Sequence, residues 1–446
     1  MKKITKKSGY AILLAFCGVF AIVIFSFARS KTQLPKLKER NGALAKAPEW
    51  QKTQEDYKVL ETAIMKNPND NKELLKLTKL FIQEGRASGD FSYYNKSSLD
   101  ILSTVLEKDP SNFEALCFQS MVMLSQHRFV EAKQIAEKAR TINQHNSYIY
   151  GLMIDASVEL GDYKEAVTLA DKMVTLRPDI RSYSRVSYLR EIHGDLPGAI
   201  DAIKMAIAAG VPGYEDTEWA RLVLAHLYED SNQLEMAKKT YQTALSYRPN
   251  YPFATAGLGK IARFEKNYPQ AIAYYEQAKK DMADASFFTE LIDLYKLTNQ
   301  ADKAEENAKA LLNSLTSDQS KLAKKSNEGH NANRELALTY LQLGENKKAL
   351  EYATTEYELR PDNIDVCETL AWAYYQNKEY AKALSIAQKG LKTNSQNPER
   401  LVQTGLIMWE NNKSPEATAL IKKGLEAKPY MDEAIATSAN KIIVAL

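Results

Sequence analysis

The 446-residue chain holds few side chains arranged for catalysis. Its five histidines are His127, His145, His193, His226 and His330, and no two of them have the i, i+4 spacing that puts a pair of metal ligands on one helix face. Of the three cysteines, Cys17 lies in an apolar run, while Cys117 and Cys367 stand far apart. Neither a disulfide framework nor a CxxC metal pair follows. There is no G-x-x-x-x-G-K-[ST] loop and no G-x-S-x-G elbow. Carboxylates at this density read as solvated helix faces. The expectation is therefore no catalytic residue, no cofactor, no metal ligand and no enzymatic activity. One stretch could do recognition chemistry. Between Arg181 and Arg190 stand three arginines and two tyrosines, a set able to grip a carboxylate or phosphate by paired hydrogen bonds. With Glu159, Glu165 and Glu191 close in sequence, salt bridges between repeats are the favoured reading of the same residues.

The elements that carry these residues are periodic. Pro110, Pro178 and Pro212 fall in phase with a repeat of about 34 residues, and so do Ala349, Ala383 and Ala417. A fixed period of this length, filled with amphipathic helical segments, means a solenoid whose core is built repeat by repeat. The composition, 45% apolar and 26% charged, is that of an ordinary globular chain.

Inside the period, one unit reads Leu224-Ala225, Tyr228, Ala237, Tyr241, Ala244, Pro249, and the next Leu258-Gly259, Tyr268, Ala271, Tyr275, Ala278. Later units read Leu336-Ala337, Tyr340, Gly344, Ala349, Pro361 and Leu370-Ala371, Tyr374, Tyr380, Ala383. These residues resemble the tetratricopeptide repeat (TPR) family. The small residues let paired helices approach, the aromatics fill the space between neighbouring pairs, and proline stops the second helix. The resemblance implies an all-α solenoid, a right-handed superhelix of antiparallel helix pairs. Counting by the markers starts units near 73, 113, 147, 180, 218, 252, 285, 330, 364 and 398, which makes about ten over 73–431. Extra residues at 85–89, at 210–213 and in a Ser/Lys-rich insertion at 313–329 are expected in turns. Residues 51–72 read as an N-terminal capping helix and 432–446 as a C-terminal one. The apolar end Ile442–Leu446 could instead protrude and bind something.

In the TPR family the first helix of each unit lines a concave face on which ligands lie as extended peptides. Transferred by position, that face would hold Asp155 and Glu159, Tyr188 and Glu191, His226 and Glu229, then Lys260 and Arg263. Further on it would hold Leu338, Leu341, Trp372, Tyr375 and Trp409. The expected groove is polar and mixed in charge in the middle and aromatic towards the C-terminus, with Trp372 and Trp409 either interface anchors or packed under the next helix.

The N-terminal segment, 1–50, differs in kind. Residues 1–9 form a tail with Lys2, Lys3, Lys6 and Lys7, and residues 10–28 form an uncharged apolar run. At a helical rise of about 1.5 Å per residue that run approaches the thickness of a bilayer core, so it reads as a transmembrane signal-anchor. Residues 29–50 read as a basic linker, either solvated or laid against anionic lipid. Two processing alternatives accompany an uncleaved anchor: cleavage after Ala28, and lipidation at Cys17, against which bulky Phe16 argues. The lysine-led tail suggests a bacterial source with the repeats across the membrane from the cytoplasm.

Charge divides along the chain: residues 1–40 hold nine basic groups against one acid, and residues 41–446 hold 50 against 55. A mildly acidic repeat region is poorly suited to nucleic acid, which needs a basic stripe. The chain is thus expected to be a membrane-anchored scaffold that binds a protein or peptide partner. A structural homo-oligomer and a non-catalytic accessory subunit of an envelope enzyme complex are the alternatives.

Overall fold

The computed structural model describes residues 34–40, 42–47, 49–324, 328–428 and 431–444. The expected tail at 1–9 and apolar run at 10–28 lie outside the described residues. Among those described, no helix is long and apolar enough to cross a membrane.

The chain is an all-α solenoid of paired helices. A helix at Trp50–Lys66 precedes ten pairs, whose first helices begin at Asn71, Phe113, Ser147, Ile180, Glu215, Pro252, Ala285, Asn333, Ile364 and Pro398. We number the units 1 to 10 in that order, and a helix at Glu433–Val444 follows the last. Three local rules, repeated in phase, make the pairs. Seven of the ten first helices start on Asp or Asn caps, Asp70, Asn112, Asn146, Asp179, Asp284, Asn363 and Asn397, whose side chains accept from free backbone N–H groups of the first turn. In every unit the turn between the two helices contains one residue in the left-handed region, from Gly89 in unit 1 through Gly161 and Asn232 to Asn412 in unit 10. Second helices then cross the first at alanine: Ala132, Ala166, Ala199, Ala237, Ala271, Ala304, Ala349, Ala383 and Ala417 are all 5% exposed or less. A larger side chain there has no room.

Two expected loops are helix instead. Residues 85–88 complete the first helix of unit 1, which ends on left-handed Gly89. The second helix of unit 7 runs from Ala301 to Ala323, so most of the 313–329 insertion lengthens a helix, because Leu311 and Leu315 continue its buried stripe against Ala332 and Leu336.

The described part of the basic linker is also corrected. Leu34 and Leu37 pack on unit 1, Lys38 pairs with Asp90 at 2.5 Å, and Arg40 makes a two-pronged bond to Glu84, both arms 2.8 Å, with each side chain only 2% exposed. Two of the linker's cations, Lys38 and Arg40, thus find carboxylates in the first repeat. Glu49 then joins Arg40 to Arg248 of unit 5. Burial opposes ionisation of Glu49, but the two guanidiniums outweigh it and hold its pKa down to about 2.

This last contact belongs to a second, longer period. Glu49 meets Arg248 across 199 residues, Glu159 meets Arg360 across 201, and Asp230 meets Lys428 across 198. The Tyr163 hydroxyl accepts, at 2.8 Å, the backbone N–H of Ile364 in unit 9. Successive turns of the superhelix therefore touch, about six units apart, and the concave face becomes its lumen wall.

Candidate functional site

First helices of adjacent units pack against one another, as in units 2 and 3, 3 and 4, and 8 and 9, so they form the inner wall. Counting from the small residue at each crossing, the next position and the one three further make two rows one helical turn apart. The first row holds Tyr188, His226, Lys260, Leu338 and Trp372; the second holds Glu191, Glu229, Arg263, Leu341, Tyr375 and Trp409.

In the middle of the wall the charges are used internally. Lys260 Nζ lies 2.7 Å from Glu229 Oε2, and Glu229, wholly buried, also accepts from Tyr241 at 2.8 Å. Arg263 lies 2.5 Å from Glu290 and 3.6 Å from Asp293. Burial lowers the Arg263 pKa, and those two acids raise it above its ordinary value by more. The Arg181–Arg190 stretch is committed in the same way: Arg185 binds Asp155 through Nε at 2.8 Å and through Nη2, and the carbonyl of Gly151 at 3.1 Å. Arg185 is thus an inter-repeat tie, though to Asp155 and not to Glu159, Glu165 or Glu191, while Arg181 and Arg190 face Asp179 at 3.6 Å and Asp195 at 3.7 Å within their own unit.

Tyr188 and His226 are exposed, yet burial is the main influence on both, raising the phenol pKa and lowering the imidazole pKa. A side chain open to water but flanked by protein behaves this way. Glu191, beside them, is pushed up to about 7 by burial and by Asp230 and Asp365, against the pull of Arg400.

The C-terminal wall has another character. Trp372 stacks on Tyr375, centroids 4.7 Å apart and planes within 8°, and both rings pack on a cluster containing Val402, Leu406, Met431 and Ile435. The closing helix thus covers part of the aromatic groove, and its Ile442 and Ile443 join the same cluster. Trp409 is half-buried, as is Leu341, whereas Leu338 is 41% exposed.

Sequence reading missed the residues that face the middle wall from the next superhelical turn. Arg400 binds Glu368 at 2.7 Å and also Asp365, Arg360 binds Glu356 and Glu159, and Lys428 binds Asp230 at 3.0 Å and Glu399 at 3.2 Å. The one signal available was a recurrence of acids and bases at separations of 198 to 201 residues, which is invisible without the superhelical pitch. Cys117 and Cys367 are buried, and burial pushes their thiols up, to about 12 and about 11.

Family models described as tetratricopeptide repeat match residues 220–251 and 335–398. A curated relative, anaphase-promoting complex subunit 7 of Arabidopsis thaliana, is 26% identical over 227 residues, half of this chain and 38% of its own length. The chain thus spans well under half the length of that relative. Among solved structures, the Cut9–Hcn1 hetero-tetramer of the APC/C is similar at TM-score 0.47 and 14% identity, over 88% of this chain and 67% of that one. A human IFIT1 dimer with PPP-AAAA gives TM-score 0.47 and 14% identity, over 86% of this chain and 92% of that one. With the repeat markers, the paired helices and the matched segments in agreement, the chain contains tetratricopeptide repeats built into an α-solenoid, of the kind that serves as a protein-interaction scaffold.

Proposed function

We propose that this chain is a membrane-tethered scaffold, without chemistry of its own, that receives an extended protein segment along the lumen wall. The observation that carries the reading is the pair of apolar side chains left open on the first row, Tyr188 at 38% exposure and Leu338 at 41%, on a wall whose cations are otherwise bound to its own acids. Exposed aromatic and aliphatic groups in a concave wall are the usual anchors of an interface. Membrane tethering rests on the apolar run at 10–28 and the lysines before it, which also favour a bacterial envelope location with the repeats outside the cytoplasm. The partner is a protein or peptide and not a nucleic acid, since the repeat region is mildly acidic.

A photo-crosslinking residue placed at 188 or 338, in membranes washed with high salt, tests this directly. The protein should stay in the pellet and form a discrete adduct from either position, while the same probe at exposed Val167 on a second helix should give none. Equal labelling from all three positions would place binding elsewhere.

A further inference from the structure

The isolated histidines of the sequence are not isolated in space. His127, in the turn of unit 2, and His330, just before unit 8, lie with ring centroids 5.2 Å apart and planes at 77°. His127 Nδ1 is 3.6 Å from Glu335 Oε1 on the first helix of unit 8. One ligand atom from each of His127, His330 and Glu335 lies within 4.8 Å of the others, and all three residues are half-buried.

Three independent features prepare this cluster. His127 Nδ1 is held 2.9 Å from the carbonyl of Asn331, and His330 Nδ1 faces Asp318 at 3.4 Å. Metal-binding imidazoles are oriented by such carbonyl and carboxylate partners on a ring nitrogen. Glu335 Oε2 is shielded from solvent and has no hydrogen-bond partner. The third feature is His127 itself, with φ +56°, at the turn position that glycine fills in units 1, 3, 4 and 8, asparagine in units 5, 7 and 10, and lysine in units 6 and 9. Histidine meets no need of the turn that asparagine would not meet. Gly329, φ +79°, presses against the Asp318 carbonyl, where a Cβ would come within 2.2 Å, and so sets where His330 stands.

We propose that His127, His330 and Glu335 form a divalent transition-metal site, of zinc type, that clamps unit 2 to unit 8 across neighbouring turns of the superhelix. Two imidazoles and one carboxylate are a common zinc ligand set, leaving a fourth position for water. At zinc bond lengths of about 2.0–2.2 Å the three atoms must close to about 3.4 Å apart. Rotations of half-buried side chains can supply that movement. The nearby cations are occupied: Lys321 faces Asp318 at 3.6 Å, and Arg360 is bound to Glu356 and Glu159 while its guanidinium lies over the Phe129 ring. His127 and His330 lie between helices, while Glu335 stands on the first helix of unit 8 three residues before Leu338; none of the three is a wall residue of the partner-binding proposal, and zinc binding is read without the partner.

The test uses the full chain in detergent, without a histidine tag, stripped with chelator and titrated with zinc against a chromophoric competitor. Wild type should bind one zinc per chain. His127→Asn, which restores the residue found at this turn in three other units, should melt as wild type does in chelator yet bind zinc at least about tenfold more weakly. Glu335→Gln, nearly the same shape, should weaken it in the same direction. Zinc should raise the melting temperature of wild type and not of His127→Asn. Wild type binding no tighter than His127→Asn, or a zinc-induced rise of equal size in both, overturns the proposal.

Discussion

The wall of units 4 to 6 and the wall of units 8 to 10 occupy equivalent positions in the repeat but use them oppositely. In the middle, Lys260 and Arg263 are bound to Glu229, Glu290 and Asp293, so charges that seemed available to a partner are spent within the wall. At the C-terminal end, Trp372 and Tyr375 are stacked and partly covered by the closing helix. The repeat fixes where a side chain projects, and its neighbours decide whether it is free. What stays open, Tyr188 and His226 in one region and Leu338 in the other, is not what charge or aromatic content alone selects.

The largest effect should come from the aromatic end. Changing Trp372 and Tyr375 together to Ala removes two half-buried rings from the packing of the closing helix and should cost about 4 kcal/mol, read by chemical denaturation. A cost below about 1 kcal/mol would mean that the rings are free and the two regions differ less than described.

Overpacking the helix crossing should instead treat the two regions alike. Ala237→Leu in unit 5 and Ala383→Leu in unit 9 fill equivalent, fully buried positions, so each should cost roughly 1–3 kcal/mol. Thermal melts should show similar losses, with local damage preceding global unfolding. A loss confined to one of them would show that the crossings are not equivalent.

These crossings were legible in the sequence because alanine and the turn residues recur with a period that local sterics enforce. The unit starts were legible for the same reason. Contacts between successive superhelical turns were not. Glu159 with Arg360, Asp230 with Lys428, and His127 with His330 depend on the superhelical pitch, which sums small rotations that no single unit encodes. Docking of Lys38 and Arg40 was hidden differently, since a basic run reads alike whether it meets water, lipid or the carboxylates of Asp90 and Glu84.

A smaller, pH-dependent effect should separate the middle wall from the rest. The Glu191 pKa is raised in the folded chain from an ordinary 4.5 to about 7, so its contribution to stability is fully present below about 4.5 and is lost as pH rises through 7. Glu191→Gln should therefore raise the melting temperature at pH 8 and leave it nearly unchanged at pH 4.5. Equal shifts at both pH values would remove Glu191 as the titrating group.

The smallest effect on stability should accompany the clearest effect on function. Tyr188→Ala combined with Leu338→Ala truncates two exposed side chains and should change stability by no more than about 1 kcal/mol in total. Capture of the native partner, quantified by pull-down of this double variant beside wild type, tests the lumen-wall proposal most directly. We expect retained capture to fall at least about tenfold, a loss of roughly 1.4 kcal/mol, with the melting temperature nearly unchanged; capture equal to wild type by a folded double variant would contradict it.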